Sequence, residues 1–468
     1  MRLDETRSPI NSVMEIIKMQ SMKTVCALVA LSTAPLVFAA PPTATDTNAG
    51  VAPGTPQSAM PAAASQCERY QRYVVRTEAV LSQTPPCETI SPELFGLRAA
   101  LADNGFGFAA AFSPNYRYDL LGNNSSTQSY NGQNPTYRQS TALKLTYDLT
   151  RVGWGGDAQF VLGATWESGS YRTGNPNFLT MSSFAVNQRF YDGQLELQYG
   201  YYNLIREYYG MVLGGNSSAA ALGPASVIPV QVGLSLFTPS PAVTVTVKDQ
   251  SKRWYNRATV ARSASPNRFQ YDLDENPSGF EFKVKGSRAV VVDEFGYKVN
   301  AGQDQKAFWA RVGAIHNTSK YTDYRNGGMT NNNYGAYAAV TKQVTQPNGS
   351  GPRGLYLDAK VNYAPEDRNL YNKDFQLTAF YIGPFDSRQR DMVSLGFTRN
   401  YFSTYAHNNV ERSGGDAERT STALSLSYAA RLSRGIYWVN GLTYQEGPSF
   451  APALDDALIY QSGLNFSF

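Results

Sequence analysis

The last nine residues constrain this chain most. Tyr460, Ser462, Leu464, Phe466 and Phe468 fall on one side of an extended segment, and Ile459, Gln461, Gly463, Asn465 and Ser467 on the other. The chain stops on an aromatic ring. A period of two places the two sets on opposite faces of a sheet. The alternation recurs upstream. Leu143, Leu145, Tyr147 and Leu149 alternate with Lys144, Thr146 and Asp148; Phe160, Leu162, Ala164 and Trp166 with Gln159, Val161 and Glu167; Leu195, Leu197, Tyr199 and Tyr201 with Glu196 and Gln198. Phe280, Phe282 and Val284 alternate with Glu281, Lys283 and Lys285; Leu355 to Tyr363 with Tyr356, Asp358, Lys360 and Asn362; Leu424, Leu426 and Tyr428 with Ser425, Ser427 and Arg431.

A soluble β-sandwich also alternates. Here, however, the polar face is charged and amide-rich, and Tyr199, Tyr201, Tyr363 and Tyr381 stand near strand ends, where they would build two aromatic girdles. The chain carries 31 Tyr and 23 Phe, rings suited to a boundary with lipid on one side and water on the other. Strands of about ten residues fit a tilted membrane-spanning strand. Turn-rich stretches such as 122–126, 325–328, 346–351 and 413–416 separate them. At about 20–25 residues per strand with its connection, residues 95–468 make an all-β, transmembrane antiparallel β-barrel of about 16 strands. Tyr460, Leu464, Phe466 and Phe468 then read as the address recognised by the outer-membrane insertion machinery, and the lipid bilayer becomes the chain's first partner.

The N-terminus fits export. Lys23, the apolar run 25–34 and Val37-Phe38-Ala39 form a secretory signal that ends at residue 39. Translation would start at Met19 or Met22, which makes residues 1–18 an over-long start. Losing 1–39 removes four basic and three acidic residues, so the net charge falls from +4 to +3. That balance, without a Lys/Arg block, gives nucleic acid no support as a partner. Residues 40–66 form a Pro/Ala-rich linker expected to be disordered. Residues 67–94 form a short periplasmic segment, with a helix expected from Cys67 to Leu81 before Pro85 and Pro86 stop it. Cys67 and Cys87 are a candidate disulfide in an oxidising periplasm; two unpaired thiols are the other reading. His316 and His407 are the only histidines, and neither lies near those cysteines or in a nucleophile motif. No metal, cofactor or catalytic residue is assigned.

Ahead of the barrel lies Phe95-Gly96-Leu97-Arg98-Ala99-Ala100-Leu101-Ala102-Asp103-Asn104-Gly105-Phe106. It resembles the lead-in of the carbohydrate-selective porins of OprB type, with Gly96, Arg98, Leu101, Asp103 and Gly105 in the motif's places and 109–120 as the first strand. Tyr437-Trp438, the loop with Pro448 and Pro452, and the closing strand are similar too. The resemblance covers 92–468. It departs where Glu93-Leu94-Phe95-Gly96 replaces the usual Trp-Gly-Gly, and in the cysteines and the Pro/Ala leader. It implies passive diffusion of sugars and other small hydrophilic solutes into the periplasm, as a monomer or homotrimer. Pore-lining candidates are Glu196, Glu281, Lys283, Lys285, Trp309, Arg311 and Tyr356. Arg206 and Glu207 join them if the Gly/Ala/Pro-rich stretch 201–237 is a constriction loop, with the two facing each other across the eyelet; an external surface loop is the alternative. A general channel, a barrel acting as an export partner through its N-terminal segment, and an outer-membrane hydrolase complete the readings.

Overall fold

The computed structural model describes residues 69–76, 85–123, 127–173, 176–208, 227–349 and 351–468. The proposed signal (1–39), the linker (40–66) and Cys67 lie outside the described residues. Cys87 is disulfide-bonded.

The wall is one closed barrel of sixteen antiparallel strands, each paired with its neighbours in sequence. They are β1 Phe106–Asp119, β2 Thr136–Asp148, β3 Asp157–Gly169, β4 Phe178–Phe190, β5 Leu195–Tyr202, β6 Ser240–Lys248, β7 Trp254–Arg262 and β8 Ala289–Val299. There follow β9 Phe308–Asn317, β10 Asn333–Gln343, β11 Gly354–Tyr363, β12 Tyr371–Ile382, β13 Met392–Phe402, β14 Thr420–Ser433, β15 Ile436–Glu446 and β16 Ala457–Ser467. β16 closes on β1 through Phe112↔Phe466, Asn115↔Gly463 and Asp119↔Ile459. The final residue continues this pairing: Phe468 N–H donates to the Ala110 carbonyl at 2.8 Å, and the Phe468 carbonyl accepts from Ala110 N–H at 3.0 Å. Closure leaves no unpaired edge, which a bilayer requires of any strand that crosses it. No described helix is long and apolar enough to span; the strands do the crossing.

Alternation decides which face meets lipid. Leu143, Leu162, Trp166, Leu357, Val361, Leu424 and Leu426 all point outward and are exposed. Their neighbours Thr146, Gln159, Thr165, Asp358, Asn362, Ser425 and Ser427 point inward and are buried. Short turns such as 191–194 and 434–435 join the strands at the end that holds both barrel termini, the periplasmic end. The connections 263–288, 318–332 and 403–419 lie at the outer end, and β5 also ends and β6 starts there. Tyr201 and Tyr363 stand near that outer end. Trp254 stacks on Phe295 (5.4 Å) and packs on Tyr297 (4.8 Å) at the periplasmic end, where Tyr381 also lies.

The lead-in motif has a physical reading. Gly96 adopts φ +87 and precedes α1 (Leu97–Asp103). Arg98 is buried, and its guanidinium donates to the Phe108 carbonyl at 2.9 Å. The arginine thus clamps α1 to the first turn of β1. The first strand begins at Phe106, three residues before the expected Ala109, because Gly105 already releases the chain into extended geometry.

Two elements differ from the sequence reading. Phe280 to Lys285 is irregular chain in an outer connection, not a strand. Its alternation is real, but a turn at 277–279 and another at 285–286 leave it no partner strand. The N-terminal helix covers only Arg69 to Gln71 among the described residues, and 74–76 is non-helical. There the Val74 carbonyl and the Arg76 N–H bond to the Gln159 side chain of the barrel wall, which ends the turn.

Candidate functional site

The described parts of the connection between β5 and β6, 203–208 and 227–239, turn inward. Leu204, Ile205, Tyr208, Ile228, Val232 and Leu234 form one buried cluster with Val290 and Val292 of β8, Ile315 of β9 and Tyr337 of β10. These wall residues face the lumen. In an aqueous channel, burying each such aliphatic side chain is worth about 1.5–3 kcal/mol, so the loop is held inside. Polar bonds fix its path. Asn317 Nδ2 donates to the Val232 carbonyl (2.8 Å), and Ala264 N–H to that of Gly233 (2.8 Å). Gln231 exchanges two hydrogen bonds, 2.8 and 3.1 Å, with the backbone of Tyr371 on β12. Gly233 has φ +123, and a Cβ there would lie 2.3 Å from Asn317 Nδ2, so only glycine allows this approach. The described residues of 201–237 thus fold into the lumen rather than over the outer surface.

Arg206 and Glu207 do not face each other across an eyelet. They are neighbours on one helical turn, Leu204–Glu207. Arg206 reaches towards β2 and β3, within electrostatic range of Lys144 and Glu167. Glu207 is buried, its side chain 3.5 Å from Gln198 Nε2 and its carbonyl 2.5 Å from an Arg257 guanidinium nitrogen. The facing wall carries Arg138, whose Nε lies 2.9 Å from Glu167 Oε2, and Ser140, whose hydroxyl donates to Glu167 Oε1 at 2.6 Å. Arg117 and Lys144 share that inward register through the pairs Arg117↔Thr136 and Lys144↔Ala109. The narrow zone is thus bounded by mixed charge from the loop on one side and from β1–β3 on the other. Arg117, Arg138, Lys144 and Glu167 were not singled out from sequence. Their signal was there, since all four sit on the polar register of the first three strands.

Below the loop a cavity of about 760 Å³ opens towards the periplasmic turns, lined by Arg189, Glu196, Lys248, Tyr255, Arg257 and Trp309 among others. Glu196 is 2.9 Å from Arg189 and 3.2 Å from Lys248. Trp309 is on this wall, but its ring is already engaged. Its Nε1–H donates to the Tyr255 hydroxyl at 2.9 Å, and Lys298 Nζ and Arg311 Cζ lie 4.6 and 3.9 Å from the ring centroid. Tyr356 points inward too, yet it stacks on Phe380 at 4.8 Å and 7° and donates to the Pro352 carbonyl at 2.8 Å. Neither offers a free face for sugar stacking. Arg311 is buried against Glu294. Glu281, Lys283 and Lys285 are exposed in the outer connection 263–288, so they are removed from the pore lining. Tyr460, Leu464 and Phe466 face outward on β16, with Phe466 stacked 5.9 Å from Phe112. His407 is buried in α2 (Thr404–Arg412), 3.1 Å from Glu411.

The outer mouth is braced by charge. Arg325 and Arg368 both lie 2.8 Å from Asp367, and Arg325 lies 3.0 Å from Asp323. This ties 318–332 to 364–370. The hydrogen bond from Arg368 holds the Asp367 carboxyl below the usual carboxylate range, and that from Arg325 does the same for Asp323. A depressed carboxylate stabilises the fold above its unfolded pKa of about 3.9 and loses that contribution as pH falls through its folded value. Amide exchange in 320–326 and 364–370, corrected for intrinsic rates, is therefore expected to match at pH 7 and 5 and to quicken below about pH 4. Unchanged protection at pH 3 would remove the clamp.

Comparison with known proteins agrees with this geometry. Porin B of Pseudomonas aeruginosa is 30% identical over 146 residues, 27% of this chain. The matched region spans about a third (32%) of that porin's length. The high-pH structure of Pseudomonas putida OprB superposes with a TM-score of 0.68 at 18% identity, covering 81% of this chain and 98% of the other. The low-pH structure of the same porin gives 0.54 over the same shares; at such identity the likeness is one of fold. The profile of the carbohydrate-selective porin, OprB family, matches residues 126–468: the chain belongs to that family and lies in the bacterial outer membrane.

Proposed function

We propose that this barrel lets sugars and other small hydrophilic solutes diffuse passively from the outside into the periplasm. The lumen supports this reading: a polar inner wall, narrowed by an inward loop with mixed charge around the gap, above a wide polar cavity. A solute passing Arg138, Glu167, Lys144 and Arg206 exchanges water for fixed donors and acceptors. Pore width and these groups then set what passes, and no energy source is needed. Among the sequence candidates, Glu196, Arg206 and Glu207 remain proposed lining groups. Trp309, Arg311 and Tyr356 are proposed as structural parts of the wall. The signal that ends at residue 39 directs export and is then removed, and Tyr460, Leu464, Phe466 and Phe468 serve as the assembly address. The chain acts as a channel and carries out no reaction.

Planar-bilayer conductance with graded sugars and salts tests this. Folded protein is expected to conduct, with sugar-dependent reduction of the ionic current. Strong ion selectivity without sugar block would make it a general porin, and absence of conductance would end the porin reading.

A further inference from the structure

Residues 69–76 do not hang below the barrel; they lie against its inner wall. Thr146 Oγ1 donates to the Tyr73 carbonyl at 2.6 Å. The Gln159 side-chain amide makes a two-bond bridge, donating to the Val74 carbonyl at 3.1 Å and accepting from Arg76 N–H at 3.0 Å. Thr146 and Gln159 are on the inward register of β2 and β3 and are fully covered. Ion pairs tie the segment at several points: Arg69 to Asp103, Arg72 to Asp148 at 2.8 Å, and Arg76 to Asp157. Tyr70 and Tyr73 bury their rings against Ala102. The wall is cut to receive the segment. A Cβ on Gly107 of β1 would lie 2.4 Å from the Tyr73 carbonyl oxygen and 2.7 Å from its Cβ, a close approach of backbone to backbone that glycine alone permits.

Arg76 reaches furthest. It lines one small cavity together with Gln198, Glu196, Glu207, Thr246 and Arg257, which are groups of the constriction loop and of the wall beneath it. We propose that 69–76 is a third lining element of the pore, besides the barrel wall and the inward loop, and that Arg76 is a specificity-determining residue, setting the charge of the periplasmic exit. A strap of this kind narrows the exit on the β1–β3 side and places there a guanidinium that offsets the carboxylates of Asp157, its ion-pair partner, and of Glu196 and Glu207. It favours passage of neutral and anionic solutes over cations. The inference rests on the porin reading above.

The test uses the full mature chain in planar bilayers under a KCl gradient. Arg76→Gln removes the charge and keeps a polar side chain; its reversal potential is expected to shift towards cation preference relative to wild type. Gly107→Val pushes the strap off the wall and is expected to raise single-channel conductance, with folding checked by heat-modifiable mobility. If wild type conducts and Arg76→Gln leaves the reversal potential unchanged, the strap is only structural and the inference fails while the porin reading stands. If folded wild type does not conduct, both fail. A merely structural Arg76 would lower thermal stability without moving the reversal potential.

Discussion

Replacing Leu234 with Asp is expected to open the channel. Leu234 is fully buried where the inward loop meets the lumen face of the wall. An ionised carboxylate there has no partner, and burying one costs several kcal/mol. The barrel has two ways to avoid that cost. It can lose the wall, which would break the sixteen-strand ladder, or the loop can leave the lumen. The second is far cheaper, because the ladder bonds of β5–β10 do not run through the loop. Leu234→Asp should therefore raise single-channel conductance several-fold and weaken sugar-dependent block, while thermal unfolding of the barrel in detergent changes little. Gly233→Leu acts on the same contact by steric conflict with Asn317 and should give the same direction. Conductance equal to wild type in both variants would mean that the loop does not limit the pore.

The inward position of this loop has a trace in the sequence that periodicity alone does not resolve. β8 begins with Ala289, Val290, Val291 and Val292, an apolar run that leaves no polar residue for either face. Val291 faces lipid, while Val290 and Val292 face inward and are fully buried. An inward apolar residue in a water-filled barrel calls for a cover, and the loop provides it. Read this way, the run marks a wall buried on both faces. The barrel itself was legible because alternation is a local property, and each strand states its own two faces. The lumen was not, because what a polar inward residue touches depends on strands far away in sequence. Trp309 and Tyr356 show this: both lie on the polar register, yet Lys298, Arg311 and Phe380 occupy their faces. Phe280 to Lys285 shows the converse. A local period of two yields a strand only where a neighbour has a free edge to pair with it, and that segment instead lays Phe280 on the outer face of the closed wall, against Phe184 and Tyr201. The strap at 69–76 left a single mark, Gly107, a small residue in the first strand whose purpose appears only when Tyr73 is seen against it.

The largest loss of stability is expected at Glu294. Its two carboxylate oxygens accept from the Tyr255 and Tyr337 hydroxyls at 2.8 and 2.5 Å, and Arg311 Nε lies 3.7 Å away. The Glu294 and Arg311 side chains have no solvent exposure, and the Arg311 nitrogens have no hydrogen-bond partner among the described residues. The guanidinium is thus balanced by this carboxylate and by the Trp309 ring beneath it. Glu294→Ala removes the nearest negative charge and leaves two phenols without their acceptor. Breaking a buried pair from one side costs about 3–5 kcal/mol, and the strands affected, β7 to β10, are those on which the inward loop rests. The variant should unfold at clearly lower temperature in detergent and convert earlier to the slow-migrating form in heat-modifiable electrophoresis. Glu294→Gln keeps an acceptor for one tyrosine and should fall between. Glu196→Ala, which removes a partly exposed pair in the cavity below, should cost no more than about 1 kcal/mol. Equal melting of Glu294→Ala and Glu196→Ala would show that the wall tolerates an unbalanced Arg311. The charge would then have to be met by water from the lumen, and the inner wall at β8 and β9 would be a wet surface instead of a packed one.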